Sequence, residues 1–140
     1  MENNSNKGLV HVVSNDDFFY LLFKTFVQQL KQECILRKVE FVHDVYNAET
    51  TNNGILPDLI IIDANIERIS PIDLVNVLRS VLHYKMPIWF VSEIVAAQYV
   101  SKIMDVGANR MISKPFDPEL LAQEIVMLIN NKLMIEDVEF

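Results

Sequence analysis

Leu59-Ile60-Ile61-Ile62 is an unbroken aliphatic run, introduced by Pro57-Asp58 and closed by Asp63. Four large aliphatics in succession leave no polar side. A strand built from them must be covered on both faces, the condition of strands in a parallel sheet. A carboxylate just past such a strand stands at the rim of the sheet, where open α/β folds keep their sites.

A chain of 140 residues with 51% hydrophobic and 22% charged side chains can bury one proper core, and it reads as one domain. The net charge of −7, without a run of Lys or Arg, argues against nucleic-acid binding and against attraction to anionic membranes. No apolar stretch approaches the length of a membrane span, and Met1 to Lys7 lacks the apolar core of a signal peptide. Cys34 is the single cysteine, so no internal disulfide forms and a reducing cytoplasm is the expected home.

Elements alternate along the chain. Leu9 to Val13 reads as a strand, followed by capping residues and a helix with Phe19, Leu22, Phe23, Phe26 and Leu30 on one face. Lys38 to Val42 reads as a second strand, Asp44 to Asn53 as a weak helix ended by Gly54, and Leu59 to Ile62 as the third strand. Ser70-Pro71-Ile72-Asp73 is a helix start, with a stripe of Leu74, Val75, Leu78, Val81 and Leu82. Ile88 to Val91 is the fourth strand; Ala96, Ala97, Val100, Ile103 and Met104 mark a helix stopped near Gly107. Arg110 to Ser113 is the fifth strand, and Asp117-Pro118-Glu119 opens a last helix, followed by Leu121, Ile125, Leu128 and Ile129. Five strands and five helices in alternation predict right-handed crossovers and a parallel sheet covered on both faces. The expected boundaries are a flexible N-terminus over 1–8, one domain over 9–134 and an acidic tail over 135–140.

Asp63, Ser92 and Lys114 stand at the ends of successive predicted strands, Ser92 29 positions after Asp63 and Lys114 a further 22 on, the latter followed by Pro115-Phe116. With Gly107-Ala108 before the last strand, this set resembles the receiver domain of bacterial two-component response regulators, from Leu9 to about Lys132. The resemblance implies a flavodoxin-like three-layer α/β sandwich with a five-stranded parallel sheet in the order 2-1-3-4-5. It implies that Asp63 is the phosphoacceptor, that Lys114 pairs with a phosphoryl oxygen, and that the Ser92 hydroxyl binds another and works as a switch. It also implies a cis Lys114-Pro115 bond and a signalling face made by the fourth helix, the last strand and the last helix. The implied partners are a sensor histidine kinase or phosphotransfer protein and a downstream effector protein.

The chain departs from the family at several positions. The two adjacent acids that hold Mg²⁺ with the phosphoacceptor fall at Ser14 and Asn15, which leaves the cation weakly held or absent. Asp16 and Asp17 read as helix caps; a register that makes them the acidic pair needs extra loop residues. Asn65 falls where the family offers the metal a backbone carbonyl. Glu93 replaces a small residue after Ser92, Met111 replaces the aromatic switch, and Arg68 and Pro71 stand near the usual place of a loop glycine.

Three functions compete on this reading: a stand-alone receiver phosphorylated on Asp63 in a phosphorelay, a pseudo-receiver that binds partners irrespective of phosphate, and a flavodoxin-like ligand-binding protein. The last lacks a glycine-rich phosphate loop, and no acid–base pair outside the constellation suggests an enzyme. His11, His43 and His83 show no metal-site spacing, and Cys34 reads as inert. Met127, Leu133, Met134 and Ile135 exceed what the last helix needs for its own core; an exposed apolar patch there would mark a homodimer or partner surface, and ordinary packing is the equal alternative.

Overall fold

The computed structural model describes residues 8–31, 33–39 and 55–137. Strands β1 (Leu9–Val13), β2 (Ile35–Val39), β3 (Leu59–Asp63), β4 (Ile88–Ser92) and β5 (Arg110–Ser113) alternate with helices α1 (Asp17–Leu30), α2 (Pro71–Asn76), α3 (Ala97–Val106) and α4 (Pro118–Asp137). All pairs are parallel and the order is β2-β1-β3-β4-β5, as the resemblance implied. The helix expected at Asp44–Asn53 lies outside the described residues.

The helix starts have local causes. Asp16 caps α1 by accepting from the amides of Phe18 and Phe19, Ser70 caps α2 with Pro71 at its first turn, and Asp117 accepts from Glu119 and Leu120 at the start of α4. Alternation along the strands then divides the core. Val10, Val12, Leu59, Ile61 and Val91 meet α1 and α4, while Val13, Ile60, Ile62, Ile88 and Phe90 meet α2 and α3. The five residues of β3 and the five of β4 are all buried, which is why their sequences show no polar alternation.

Three expectations need correction. The second strand begins at Ile35, not Lys38: β1 pairs Leu9 with Ile35, and Gly8 O accepts from the Ile35 amide. β2 is an edge strand, so it tolerates the Arg37-Lys38 pair that hides it in the sequence. Val81, placed in the buried stripe, is 63% exposed. After Asn76 the helix widens into a π turn over Val77–Val81, closed by Leu82 N donating to Val77 O at 3.0 Å. The extra residue rotates everything beyond it, so the 3.6-residue period no longer predicts which side chain faces inward. Leu30, counted with the apolar face of α1, is likewise exposed.

The π turn carries Arg79, whose guanidinium ties the base of the sheet together. Its Nε donates to Gly107 O at 3.0 Å, one terminal nitrogen to Tyr84 O at 2.8 Å and Met86 O at 2.7 Å, and the other to Asn109 Oδ1 at 2.7 Å. Asn109 Oδ1 also accepts from the Ile88 amide at 2.7 Å, so the clasp reaches the first residue of β4. Burial lowers the Arg79 pKa from its ordinary value. Gly107 permits the approach: its φ is +126°, and a Cβ there would lie 2.4 Å from Arg79 Cγ. Replacing Arg79 by Met keeps the stem and removes every one of these bonds. Urea unfolding should show a loss of about 3 kcal/mol, with Lys recovering little, because a point ammonium cannot span so many acceptors.

His11, in the middle of β1, is 2% exposed, and its register partner on β2 is Arg37. Burial, reinforced by the positive Arg37, lowers its pKa to about 4. The unfolded chain therefore binds a proton below pH 6.5 that the native state refuses until about pH 4. Native stability is full above that upper limit and falls as the solution is acidified through the window. Between pH 7 and pH 5, where most carboxylates stay ionised, thermal or urea unfolding should register a loss of about 2 kcal/mol, and His11→Leu should flatten that slope.

Candidate functional site

Asp63 closes β3 at the C-terminal edge of the sheet, opposite Val91 of β4, and is 2% exposed. A buried carboxylate needs partners for both oxygens, because desolvation without them is costly. Oδ1 accepts from Lys114 Nζ at 2.8 Å and from the Asn65 amide at 3.0 Å; Oδ2 accepts from Ser14 Oγ at 2.9 Å. The donors come from the three loops that follow β5, β3 and β1.

Ser14 directly follows β1 and its amide donates to Val39 O at 3.1 Å, continuing the ladder. Its side chain is 0% exposed. While Oγ donates to Asp63 it accepts from the Asp16 amide at 3.0 Å, which turns the chain into α1. Asp16 is exposed and its Oδ1 is spent on the helix cap, so the capping role read from the sequence is the one it has. Asn15 is exposed and its Oδ1 accepts from the Glu67 amide at 3.1 Å, latching the loop after β3 to the loop after β1. Arg68 in that loop has φ +75°, the left-handed region where glycine is at ease and other residues carry a strain of about 1 kcal/mol.

Lys114 is held by the aromatic side of the core. Its amide donates to Ser92 O at 2.9 Å, the Lys114-Pro115 bond is cis as the resemblance implied, and Phe116 stacks on Phe23 at 5.4 Å and meets Phe19 edge-on at 6.0 Å. The ammonium also lies 5.1 Å from the centre of the Phe19 ring. Phe19 and Phe23, read from the sequence as helix-face residues only, thus fix the loop that aims the cation.

Ser92 is buried at the end of β4, and its Oγ accepts from the Ile94 amide at 2.9 Å. Its hydroxyl therefore faces the loop that leads into α3. Met111 pairs with Phe90 across β4 and β5 and packs, half-buried, against the α2–α3 side of the core. A groove of about 680 Å³ runs over the site between Asp16, Phe18, Leu22, Asn65, Glu93, Lys114 and Phe116. Of the residues the sequence put at one edge of the sheet, Asp63, Asn65 and Lys114 meet through hydrogen bonds, Ser92 is joined to them through its carbonyl and the Lys114 amide while its hydroxyl is turned to Ile94, and Ser14 joins them as more than a missing acid. Its signal in the sequence is chemical rather than positional: a hydroxyl, unlike a carboxylate, can donate to a neighbouring anion.

Mg²⁺ prefers near-octahedral oxygen ligation and is usually held by carboxylates. Here Asp63 is the one buried carboxylate among the described residues, Ser14 Oγ donates to it, the Asp16 carboxylate caps a helix, and Glu93, which also lines the groove, is exposed. Among the described residues no group of three His, Cys, Asp or Glu converges on a metal-sized position. This donor set does not fit a tightly held divalent cation.

The family model of the response regulator receiver domain matches residues 10–126. No curated protein matches the chain. Solved structures with the same fold include the chemotaxis response regulator CheY4 of Vibrio cholerae, 20% identical over 87% of this chain and 98% of that one, with a TM-score of 0.71. The receiver domain of the Francisella response regulator 1452 is 18% identical over 90% and 99% of the two chains, with a TM-score of 0.73. The BeF3-activated N-terminal receiver domain of Klebsiella pneumoniae RstA is 16% identical over 87% and 98%, with a TM-score of 0.71. No helix among the described residues is long and apolar enough to cross a membrane. At these identities the structures speak for the fold, and the family match over most of the sequence speaks for the lineage: the chain belongs to the response regulator receiver domain family of two-component signalling.

Proposed function

We propose that this domain is a phosphorylation switch with Asp63 as its acceptor. Receiver domains interact with histidine kinases or phosphotransfer proteins on one side and with effectors on the other, and they are not an enzyme class in themselves. The observation that carries the reading is the meeting of Asp63 and Lys114, 51 positions apart, at 2.8 Å beneath a groove that reaches Lys114 and Asn65. An anionic nucleophile approaching an anionic donor needs a cation between them, and positioning with electrostatics is most of the catalysis of such transfers.

In the proposed step an Asp63 carboxylate oxygen attacks the phosphorus of a phosphohistidine in line. The P–N bond breaks with its electron pair going to the imidazole, and an acyl phosphate forms on Asp63. Lys114 follows the developing charge onto a phosphoryl oxygen. Ser92 turns its hydroxyl from the Ile94 amide toward another, drawing in the loop 93–96. That loop carries the exposed Ile94 and Val95, and α3 starts at it without a capping side chain, so little resists its movement. The face formed by α3, β5 and α4, with Met111 beneath it in place of a ring, would pass the change to an effector.

Incubation with a small phosphodonor such as acetyl phosphate or phosphoramidate, followed by intact-mass analysis, tests this. One phosphoryl group should appear on the wild type and none on Asp63→Asn. Lys114→Met should slow the labelling by roughly 10²-fold. A wild type that stays unlabelled under both donors overturns the proposal and leaves a module that binds its partners regardless of phosphate.

A further inference from the structure

The charge at the pocket has a different balance from the one that recruits magnesium. In a pocket with an acidic pair, three carboxylates face one lysine, and the excess negative charge draws in a divalent cation. Here one carboxylate faces one ammonium at 2.8 Å, and the remaining oxygen of Asp63 is met by a neutral hydroxyl at 2.9 Å. The Ser14 hydroxyl is fixed from both ends, donating to Asp63 and accepting from the Asp16 amide, and is sealed from water. Asn15, the other neutral replacement, has its amide oxygen engaged with Glu67 N. A cation entering at Oδ2 would have to displace the Ser14 proton and lose its hydration, with no added negative charge in return.

We infer that the Ser14 hydroxyl stands in for the divalent cation at Asp63, so that the pocket is neutral without metal, takes up no Mg²⁺ at millimolar concentration, and owes this to the side chain at position 14. The inference deepens the phosphoacceptor reading, since it takes Asp63 as the working carboxylate of the site, and it concerns what balances that carboxylate before any donor arrives. The exposed acids Asp16 and Glu93 at the groove rim do not change the balance, because solvent screens them and Asp16 is bound to its helix cap.

The same geometry makes a gain-of-function variant. Ser14→Asp sets a second carboxylate beside Asp63 at a position closed to water. Two like charges there repel strongly unless a proton or a cation is shared between them. The variant should therefore become metal-responsive where the wild type is not.

Thermal unfolding of the full chain in MgCl₂ from zero to millimolar, at ionic strength matched with KCl, is the test. The wild-type midpoint should not move. Ser14→Asp should melt lower in EDTA and gain roughly 5 °C with saturating Mg²⁺, a gain lost when Asp63→Asn is added. A saturable wild-type response that Asp63→Asn abolishes overturns the inference, as does a folded Ser14→Asp that ignores the metal. Should Ser14→Asp fail to fold, Mn²⁺ line broadening of the wild-type amides takes its place: unaffected signals from Asp63 and Asn65 support the inference, and selective broadening of them overturns it. Labelling by the phosphodonor is read separately, with and without EDTA. A wild type that stays unlabelled in both yet shows no metal response contradicts the phosphoacceptor reading and leaves the role of Ser14 intact.

Discussion

Asp63 is a charged group at a point water barely reaches, and the whole C-terminal edge of the sheet is arranged to meet that charge. Left alone there, an ionised carboxylate would cost several kcal/mol. Its three donors come from separate loops, so each hydrogen bond reports on a different part of the topology. β1 lies directly beside β3, which lets a side chain as short as serine reach Oδ2. β5 lies two strands away, on the order of 10 Å at the usual strand spacing. A side chain from that loop has to be long and positively charged to arrive, and lysine meets both demands. The aromatic contacts of Phe116 with Phe19 and Phe23 hold the base of that long side chain in place.

The opposite edge of the sheet is built for the contrary purpose. Arg79 bonds to backbone or side-chain oxygens before and after β4 and at the end of α3, so the N-terminal ends of β4 and β5 and the tail of α3 are clamped to one guanidinium. The front of α3 has nothing comparable: no side chain caps it, and apolar residues in the loop before it face solvent. A helix anchored at its end and loose at its start can pivot. Such an asymmetry would confine any change triggered at Ser92 to the first turn of α3 and the loop before it.

What could be read from the residues follows from how local the causes are. The run at 59–62, the Ser70-Pro71 start and the Asp117 cap are decided within a few positions, and each is legible in the sequence. The placement of Lys114 against Asp63 is legible for another reason: a family pattern supplies the topology that spacing alone cannot. Ile35 as a strand start is hidden because β2 is an edge strand: only Leu36 and Val39 of its five residues are buried, and the Arg37-Lys38 pair between them breaks the apolar pattern. Val81 is misplaced because a π turn shifts the phase without leaving a mark in composition. The loop glycine is missing near Arg68, and the backbone still adopts the left-handed conformation there, strain included. The contribution of Ser14 is hidden at a different level. Counting lost acids describes what a pocket no longer binds, whereas only geometry shows that the hydroxyl donates to the surviving carboxylate.

That donation also limits what the pocket can do next. A phosphoryl group on Asp63 would bring roughly two negative charges into a space balanced by a single ammonium. If the neutral Ser14 and Asn15 leave no cation beside Asp63, the added charge would have to be met by groups already at hand: Lys114, the Ser14 hydroxyl once released from Oδ2, the Asn65 amide and the Ser92 hydroxyl. Of these, Ser92 is the one bonded to a weakly anchored loop. A pocket short of positive charge pulls harder on its last movable donor than a pocket with a metal would. In a phosphorylated, metal-free pocket the neutral replacement at position 14 would therefore shift the burden of charge compensation toward the loop that leads into α3.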